Sequence, residues 1–160
     1  MTLSEQTARH FREVFFGGNL TAVNLRDTLA DVTWQEATTQ VYECNTIATL
    51  LGHISYYVHI ILKVLEGGPL VGSDKLSFDY HPVRSQEDWE ELQEKTWREA
   101  EEFARLVAEF PESRLKDGFD DGKYGTWFRN LHGLIEHTHY HLGQIVVIRK
   151  MLVGERKSRV

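Results

Sequence analysis

The chain has 160 residues, of which 41% are hydrophobic and 26% are charged, and its formal net charge is −6. This length is typical of a single domain, here 1–160, with enough residues to bury a sizeable core. An acidic chain is a poor candidate for sequence-independent nucleic-acid binding, which depends on a basic surface. No apolar run reaches the roughly 18 residues needed to span a bilayer, so we expect no membrane association.

The opening residues and the cysteine content bear on where the protein works. The start, MTLSEQTARHF, lacks the basic segment and apolar core of a secretory signal. The single cysteine, Cys44, excludes an internal disulfide and a cysteine-rich zinc site. We therefore expect a cytoplasmic protein in which Cys44 is a small semi-buried residue near a helix start, not a nucleophile.

The first 40 residues predict one helix interrupted by a glycine pair. LSEQTARHFREVFF opens with Ser4 as a cap candidate and ends at Gly17 and Gly18, and 19–32 continues with helix-compatible apolar spacing. A glycine pair is a common place for a helix to kink. The short segment TWQEAT then predicts a single capped turn starting at Thr33.

The second long helix is predicted from about Cys44 to Glu66, where GGP ends it. Its apolar residues fill a wide arc of the helical wheel, which implies contact with more than one partner helix. The next segment, 67–84, is long for a simple connection, so we expect it to cross the fold or to cover a site. Within it, DKLSFDYHPV is expected to be extended.

Two further helices complete the predicted fold. The third starts at Ser85, where SQED fits a capping box, and it ends at Pro111. The fourth runs from about Tyr124 to Leu152. Four long helices without convincing strands predict an all-α fold, a four-helix bundle.

The fourth predicted helix holds four of the chain's eight histidines within ten residues. Helical spacing places His137, His141 and Gln144 on one face, with His132 and His139 on the opposite side. Two histidines four apart on one face can bind a single metal ion, because their ring nitrogens converge one turn apart.

His53 in the second helix is the best candidate for a third ligand. It lies at the edge of the apolar arc, whereas His59 falls on the polar side. Three imidazoles suit zinc, nickel, iron(II) or copper, and three protein ligands leave a position for water or substrate. Gln144 and Tyr57 are candidates for orienting ligands or water. The alternative is that these histidines are core residues bonded to Tyr, Thr or backbone groups.

Two motifs together resemble the DinB-like superfamily of metalloenzymes. LLGHISYYV at 50–58 pairs with HTHYHLGQI at 137–145, and the resemblance extends over most of the chain. Segments such as HFREVFFGGNLTAVNLRDTLADVTWQEAT resemble a subgroup of bacterial members without an assigned activity. The resemblance places the family's histidine triad on His53, His137 and His141. It implies an up-down-down-up bundle, a divalent metal, frequent homodimers, and transferase chemistry with thiols such as bacillithiol or mycothiol. With the imidazole ligands, we expect that metal to be zinc, nickel or iron.

The leading functional hypothesis is a metal-dependent enzyme that activates a thiol or a water. Such an enzyme would transfer a low-molecular-weight thiol to a small electrophilic substrate, or catalyse hydrolysis. The alternative is a non-catalytic, dimeric metal-binding or interaction module. Fold similarity alone does not fix the reaction.

Overall fold

A computed structural model of the chain describes residues 1–78 and 82–158, with side chains through Leu152 at the C-terminal end. The described residues form six α-helices and two short 3₁₀ segments, with no strand among them. The all-α prediction is therefore confirmed. The helices are α1 (Leu3–Phe16), α2 (Leu25–Leu29), α3 (Trp34–Thr38), α4 (Ile47–Leu65), α5 (Gln86–Glu109) and α6 (Trp127–Ser158).

Side-chain caps set where most of the helices begin. The hydroxyls of Thr2, Thr33 and Thr46 accept hydrogen bonds from backbone N–H groups three residues further on, at the starts of α1, α3 and α4. Ser85 caps α5 in the same way, as predicted. Such bonds satisfy N–H groups that the first helical turn leaves unpaired. Ser4 was a wrong choice of cap, because it lies buried inside α1.

The glycine pair breaks the helix, which was one of the two predicted outcomes, but the predicted second piece over 19–32 is reduced to the short helix α2. Gly17 and Gly18 have φ values of 104° and 101°, which a right-handed helix cannot contain, so the glycine pair ends α1. The chain then turns until Asn24 caps the five-residue helix α2. Asn19 stabilises this turn by donating to the carbonyls of Glu13 and Val23.

Two other predictions near α4 are corrected. Asp74–Phe78 forms a 3₁₀ turn instead of an extended segment, and the Ser77 hydroxyl donates to the carbonyl of Asp74 within it. The rest of the predicted extended segment includes 79–81, which lie outside the described residues. Helix α4 begins at Ile47 because Thr46 provides the cap, and Cys44 in the preceding turn is exposed instead of semi-buried.

The core lies among the four longest helices. Helices α1 and α4 each pack against both α5 and α6, so each long helix has two long neighbours. The largest fully buried side chains come from all of these helices and from α2: Phe11, Phe15, Leu25, Leu29, Ile47, Leu50, Leu51, Ile54, Trp89, Phe103, Leu131 and Ile145. The contact between α4 and α6 brings the histidine-bearing faces of these two helices together.

Helix α4 is, among the described residues, the one helix long and apolar enough to cross a membrane. This criterion rests on its 19 residues and their composition alone. Polar residues such as His53, Ser55 and His59 interrupt it, so no unbroken apolar run of that length exists. Because 67% of the segment is buried inside the protein, α4 matches the core helix of a soluble protein.

We expect Trp89→Phe to lower the free energy of unfolding by about 1–3 kcal/mol. The Trp89 indole is fully buried, and its N–H donates to the Val32 carbonyl at 2.9 Å, which the substitution would leave unpaired. Chemical denaturation would measure the loss. The half-buried Trp97 of the same helix is the control, and an equal or larger loss in Trp97→Phe would contradict this account.

Candidate metal centre

The structure brings the three predicted histidines together where α4 packs on α6. The Nε2 atom of His137 lies 3.0 Å from Nε2 of His53 and 3.1 Å from Nε2 of His141. The ligand atoms of all three rings lie within 4.8 Å of one another. His53 is 4% exposed and His141 is 9% exposed, so the group is largely removed from solvent.

Apolar residues one helical turn from the histidines hold these faces together. Leu50 precedes His53 by three residues on α4, and both Leu134 and Ile145 flank the histidine pair on α6. All three apolar side chains are buried, with exposures of at most 3%. Their burial favours the packing of α4 on α6, and this packing carries the imidazoles into the interior.

The spacing of the ring nitrogens fits a shared metal ion. Imidazole nitrogens bind zinc at about 2.0–2.1 Å, so two nitrogens at bond angles of 90–110° lie about 2.9–3.4 Å apart. Two of the three separations, 3.0 and 3.1 Å, fall in this range, and the third, between His53 and His141, is within 4.8 Å. The ring centroids are 4.5–4.9 Å apart, which also agrees with rings that point at one centre. The three residues can therefore hold a divalent metal ion.

Gln144 orients one of the three rings. Its side-chain oxygen lies 2.7 Å from Nδ1 of His141. Because a carbonyl oxygen only accepts hydrogen bonds, the proton of His141 resides on Nδ1 and the lone pair of Nε2 faces the centre of the group. Bonds of this kind fix the tautomer of metal-binding histidines. Gln144 therefore has the contact expected of a residue that positions a ligand.

The number of N–H protons on the three rings also favours a cation between them. A neutral imidazole carries one N–H, and that of His141 is directed at Gln144. The Nε2 of His137 faces two other Nε2 atoms, and a single proton on it can serve only one of these contacts. A cation at the centre would face three lone pairs at once. Nδ1 of His53 and of His137 is buried without a partner among the described residues.

Tyr57 contacts the group through its ring, not its hydroxyl. The ring centroid lies 5.1 Å from that of His53 and 4.8 Å from that of His137. The hydroxyl donates to a carboxylate oxygen of Asp74 at 3.0 Å. Burial, followed by this hydrogen bond, raises the pKa of Tyr57 to about 12. The phenol is therefore protonated at neutral pH and serves as a wall of the site.

Two residues of the 3₁₀ turn reach the site although no sequence motif marked them. The Phe78 ring stacks on His53, with centroids 4.4 Å apart and planes inclined by 21°. The negative charge of Asp74 offsets part of the lowering that burial causes in the pKa values of His53 and His137. The length of 67–84 predicted a segment crossing the fold or covering a site.

Burial favours the neutral form of His53 and His137. It lowers the pKa of His137 to about 4, and the neighbouring His141 and His53 add to the effect. Burial also lowers the pKa of His53, with a smaller contribution from His141. Neutral imidazole is the form that binds metal ions, so His53 and His137 are in their ligating form at neutral pH.

Two cavities are lined by residues that contact or interact with the histidines. One, of about 450 Å³, is lined by Tyr57 and Asp74 together with residues of the loop before α6, including Asp120, Asp121 and Lys123. The other, of about 540 Å³, is lined by residues that include Cys44, Tyr140 and Gln144. A small molecule therefore has room next to residues that contact the histidines.

The remaining histidines of α4 and α6 lie elsewhere, as the helical wheel predicted. Nδ1 of His59 lies 2.9 Å from a carboxylate oxygen of Glu99 on α5. His139 lies near His10 of α1, and His132 packs on Phe128. His139 is thus separated from the group although its sequence neighbours belong to it.

Comparisons of the chain with protein-family models, with curated proteins and with solved structures found no match. The resemblance to the DinB-like superfamily therefore stays a prediction made from the quoted motifs. The interpretation of the site depends on the geometry and chemistry of its own residues.

We expect the metal-free protein to lose stability as the pH falls from about 6.5 towards 4. The pKa of His137 is about 4 in the folded chain, whereas an unfolded histidine titrates near 6.5. Between these values the unfolded chain binds more protons, so acid favours unfolding. Denaturant titrations at several pH values would measure the slope, and His137→Gln should flatten it. An equal slope in the variant would contradict the assignment.

Proposed function

We propose that this chain is a DinB-like four-helix bundle in which a divalent metal ion activates a small thiol or a water molecule. His53, His137 and His141 would hold the ion. The main support for the proposal is the convergence of three imidazoles in a largely buried position, with Nε2 of His137 3.0 and 3.1 Å from Nε2 of His53 and of His141. Such convergence is costly unless something binds the nitrogens.

The packing of the long helices supports the bundle. Helices α1 and α4 each contact α5 and α6, as expected for four helices around one core. In the proposed up-down-down-up order, α4 and α5 run parallel and need a long crossover. The connection between them, 66–85, is long enough for this, and its 3₁₀ turn lies against the histidines.

The number of protein ligands supports a catalytic role. Three ligands are typical of catalytic zinc sites, which keep a position open, whereas structural sites are closed by four. A divalent ion held there would lower the pKa of a bound thiol or water enough to make a nucleophile at neutral pH. Gln144 orients His141, and the rings of Phe78 and Tyr57 limit the access of solvent to His53.

The charges around the 450 Å³ cavity bear on the substrate. Its lining includes Asp74, Asp120 and Asp121 and a single cationic side chain, Lys123. A thiol that carries carboxylates is repelled by such a surface. We therefore favour a neutral or cationic low-molecular-weight thiol, which would react with a small electrophile. Metal-assisted hydrolysis is the alternative reaction at the same site.

A non-catalytic role is the second candidate, favoured by the low exposure of the site. His53 is 4% exposed and Phe78 stacks on it, as in a closed site that binds metal for structural reasons. In this reading the chain is a dimeric metal-binding or interaction module. Exposed apolar side chains on α6, among them Tyr140, Val147 and Met151, would suit the proposed homodimer contact.

Metal analysis of protein purified without an affinity tag tests the proposed site. We expect bound zinc, nickel or iron, and we expect His137→Gln with His141→Gln to lose one equivalent per chain. His59→Gln is the matched control, because His59 bonds Glu99 away from the group. Unchanged metal content in the double variant would remove the site.

Thiol binding separates the enzyme from the module. In cobalt-loaded protein, a thiolate on the metal gives a charge-transfer absorption, which we expect on adding cysteamine or 2-mercaptoethanol and less with mercaptoacetate. Turnover with an electrophile would then be assayed with the same thiols. Metal retention without thiol binding, and without turnover of thiols or esters, would favour the module.

We expect Gln144→Ala to weaken metal binding by about 10–100-fold, the usual effect of removing a partner that orients a metal ligand. Gln144→Glu keeps an acceptor for His141 Nδ1 and should retain most of the affinity. Competition with a chelator of known affinity would measure both variants. Equal affinities for wild type and Gln144→Ala would show that the 2.7 Å contact does not position the ring.

A further inference from the structure

A second group of histidines lies where α1 packs on α6, outside the site described above. His10 projects from the exposed side of α1, and His132 and His139 lie on the side of α6 away from His137. The ring centroids of His10 and His139 are 6.1 Å apart. His10 also interacts electrostatically with both His132 and His139.

The free ring nitrogens of this group are positioned to bind a ligand. Nε2 of His132 and Nε2 of His139 are buried and have no hydrogen-bond partner among the described residues. The backbone of Ile135, one turn earlier, interacts with the ring of His139. A backbone partner at the other ring nitrogen is common among metal-binding histidines.

A carboxylate lies on the same face of α6. Positions 132, 136 and 139 fall within about 60° of one another on the helical wheel. Glu136 is exposed and interacts electrostatically with His132. Residues three and four apart on a helix are neighbours, so Glu136 lies one turn from each histidine.

We propose that His10, Glu136 and His139 form a second binding site for a divalent transition-metal ion, which bridges α1 and α6. His132 lies one turn further along α6 and lines the site. Imidazole and carboxylate ligands select zinc, nickel or copper over magnesium and calcium, which prefer oxygen ligands alone. The site does not depend on the proposed function, because it shares no ligand with the three-histidine group.

As they stand, the rings of His10 and His139 do not converge as the three histidines of the buried group do, so a shared ion requires a movement. Two imidazoles on one tetrahedral ion have ring centroids about 5 Å apart, given metal–nitrogen bonds of about 2.0 Å. The separation of His10 and His139 exceeds this by about 1 Å, and the exposed His10 side chain can move by that amount. Because His10 and Glu136 are exposed and His10 must move, this site should bind more weakly than the buried group.

The test is zinc titration of the full, untagged and chelator-treated chain, followed by calorimetry and native mass spectrometry. Wild type should bind two zinc ions per chain with different affinities. His10→Gln with His139→Gln should lose the weaker ion and keep the tighter one. Glu136→Gln should weaken only the weaker ion, about tenfold or more. His59→Gln is the control and should bind both.

The outcomes separate the two sites. The second site is overturned if wild type binds a single zinc ion and the variant His10→Gln with His139→Gln still binds it. It is also overturned if wild type binds two ions and this variant keeps both. The double variant His137→Gln with His141→Gln could instead bind as many zinc ions as wild type, while His10→Gln with His139→Gln loses one. The proposed catalytic centre then fails and the second site stands. Circular dichroism of the metal-free variants confirms that each is folded.

Discussion

The contact that the account depends on is the meeting of three imidazole nitrogens across the α4–α6 interface. One ring comes from α4 and two come from α6, so the geometry exists only when these helices pack at one particular register. A shift of either helix by one residue would rotate its histidines by about 100°. Leu50, Leu134 and Ile145 are buried one turn away from the histidines. The register that joins the histidines therefore also buries these core residues.

Other features near the site follow from this contact. The connection from α4 to α5 returns across the histidines, and there Phe78 stacks on His53 while Asp74 holds the Tyr57 hydroxyl. Gln144 lies three residues after His141, which is the spacing that lets its side chain reach the outer nitrogen of that ring. Burial lowers the pKa values of His53 and His137, and neutral imidazole is the form that binds a metal ion.

The sequence predicted the long helices and the composition of the site because both depend on local periodicity. Spacing alone separated His137 and His141 from His139, and it chose His53 over His59. It could not place Phe78, since the path of 67–84 is decided by tertiary contacts. It also read 19–32 as helix because apolar spacing was compatible, whereas two glycines at positive φ end α1 before that segment.

X-ray absorption spectroscopy at the zinc edge tests the central claim most directly. The sample would be the His10→Gln, His139→Gln variant loaded with one equivalent of zinc, so that only the buried group contributes. The account predicts three imidazole nitrogens at about 2.0–2.1 Å, with one or two lighter ligands completing the coordination. A spectrum with fewer than three imidazoles, or one that His137→Gln does not change, would contradict it.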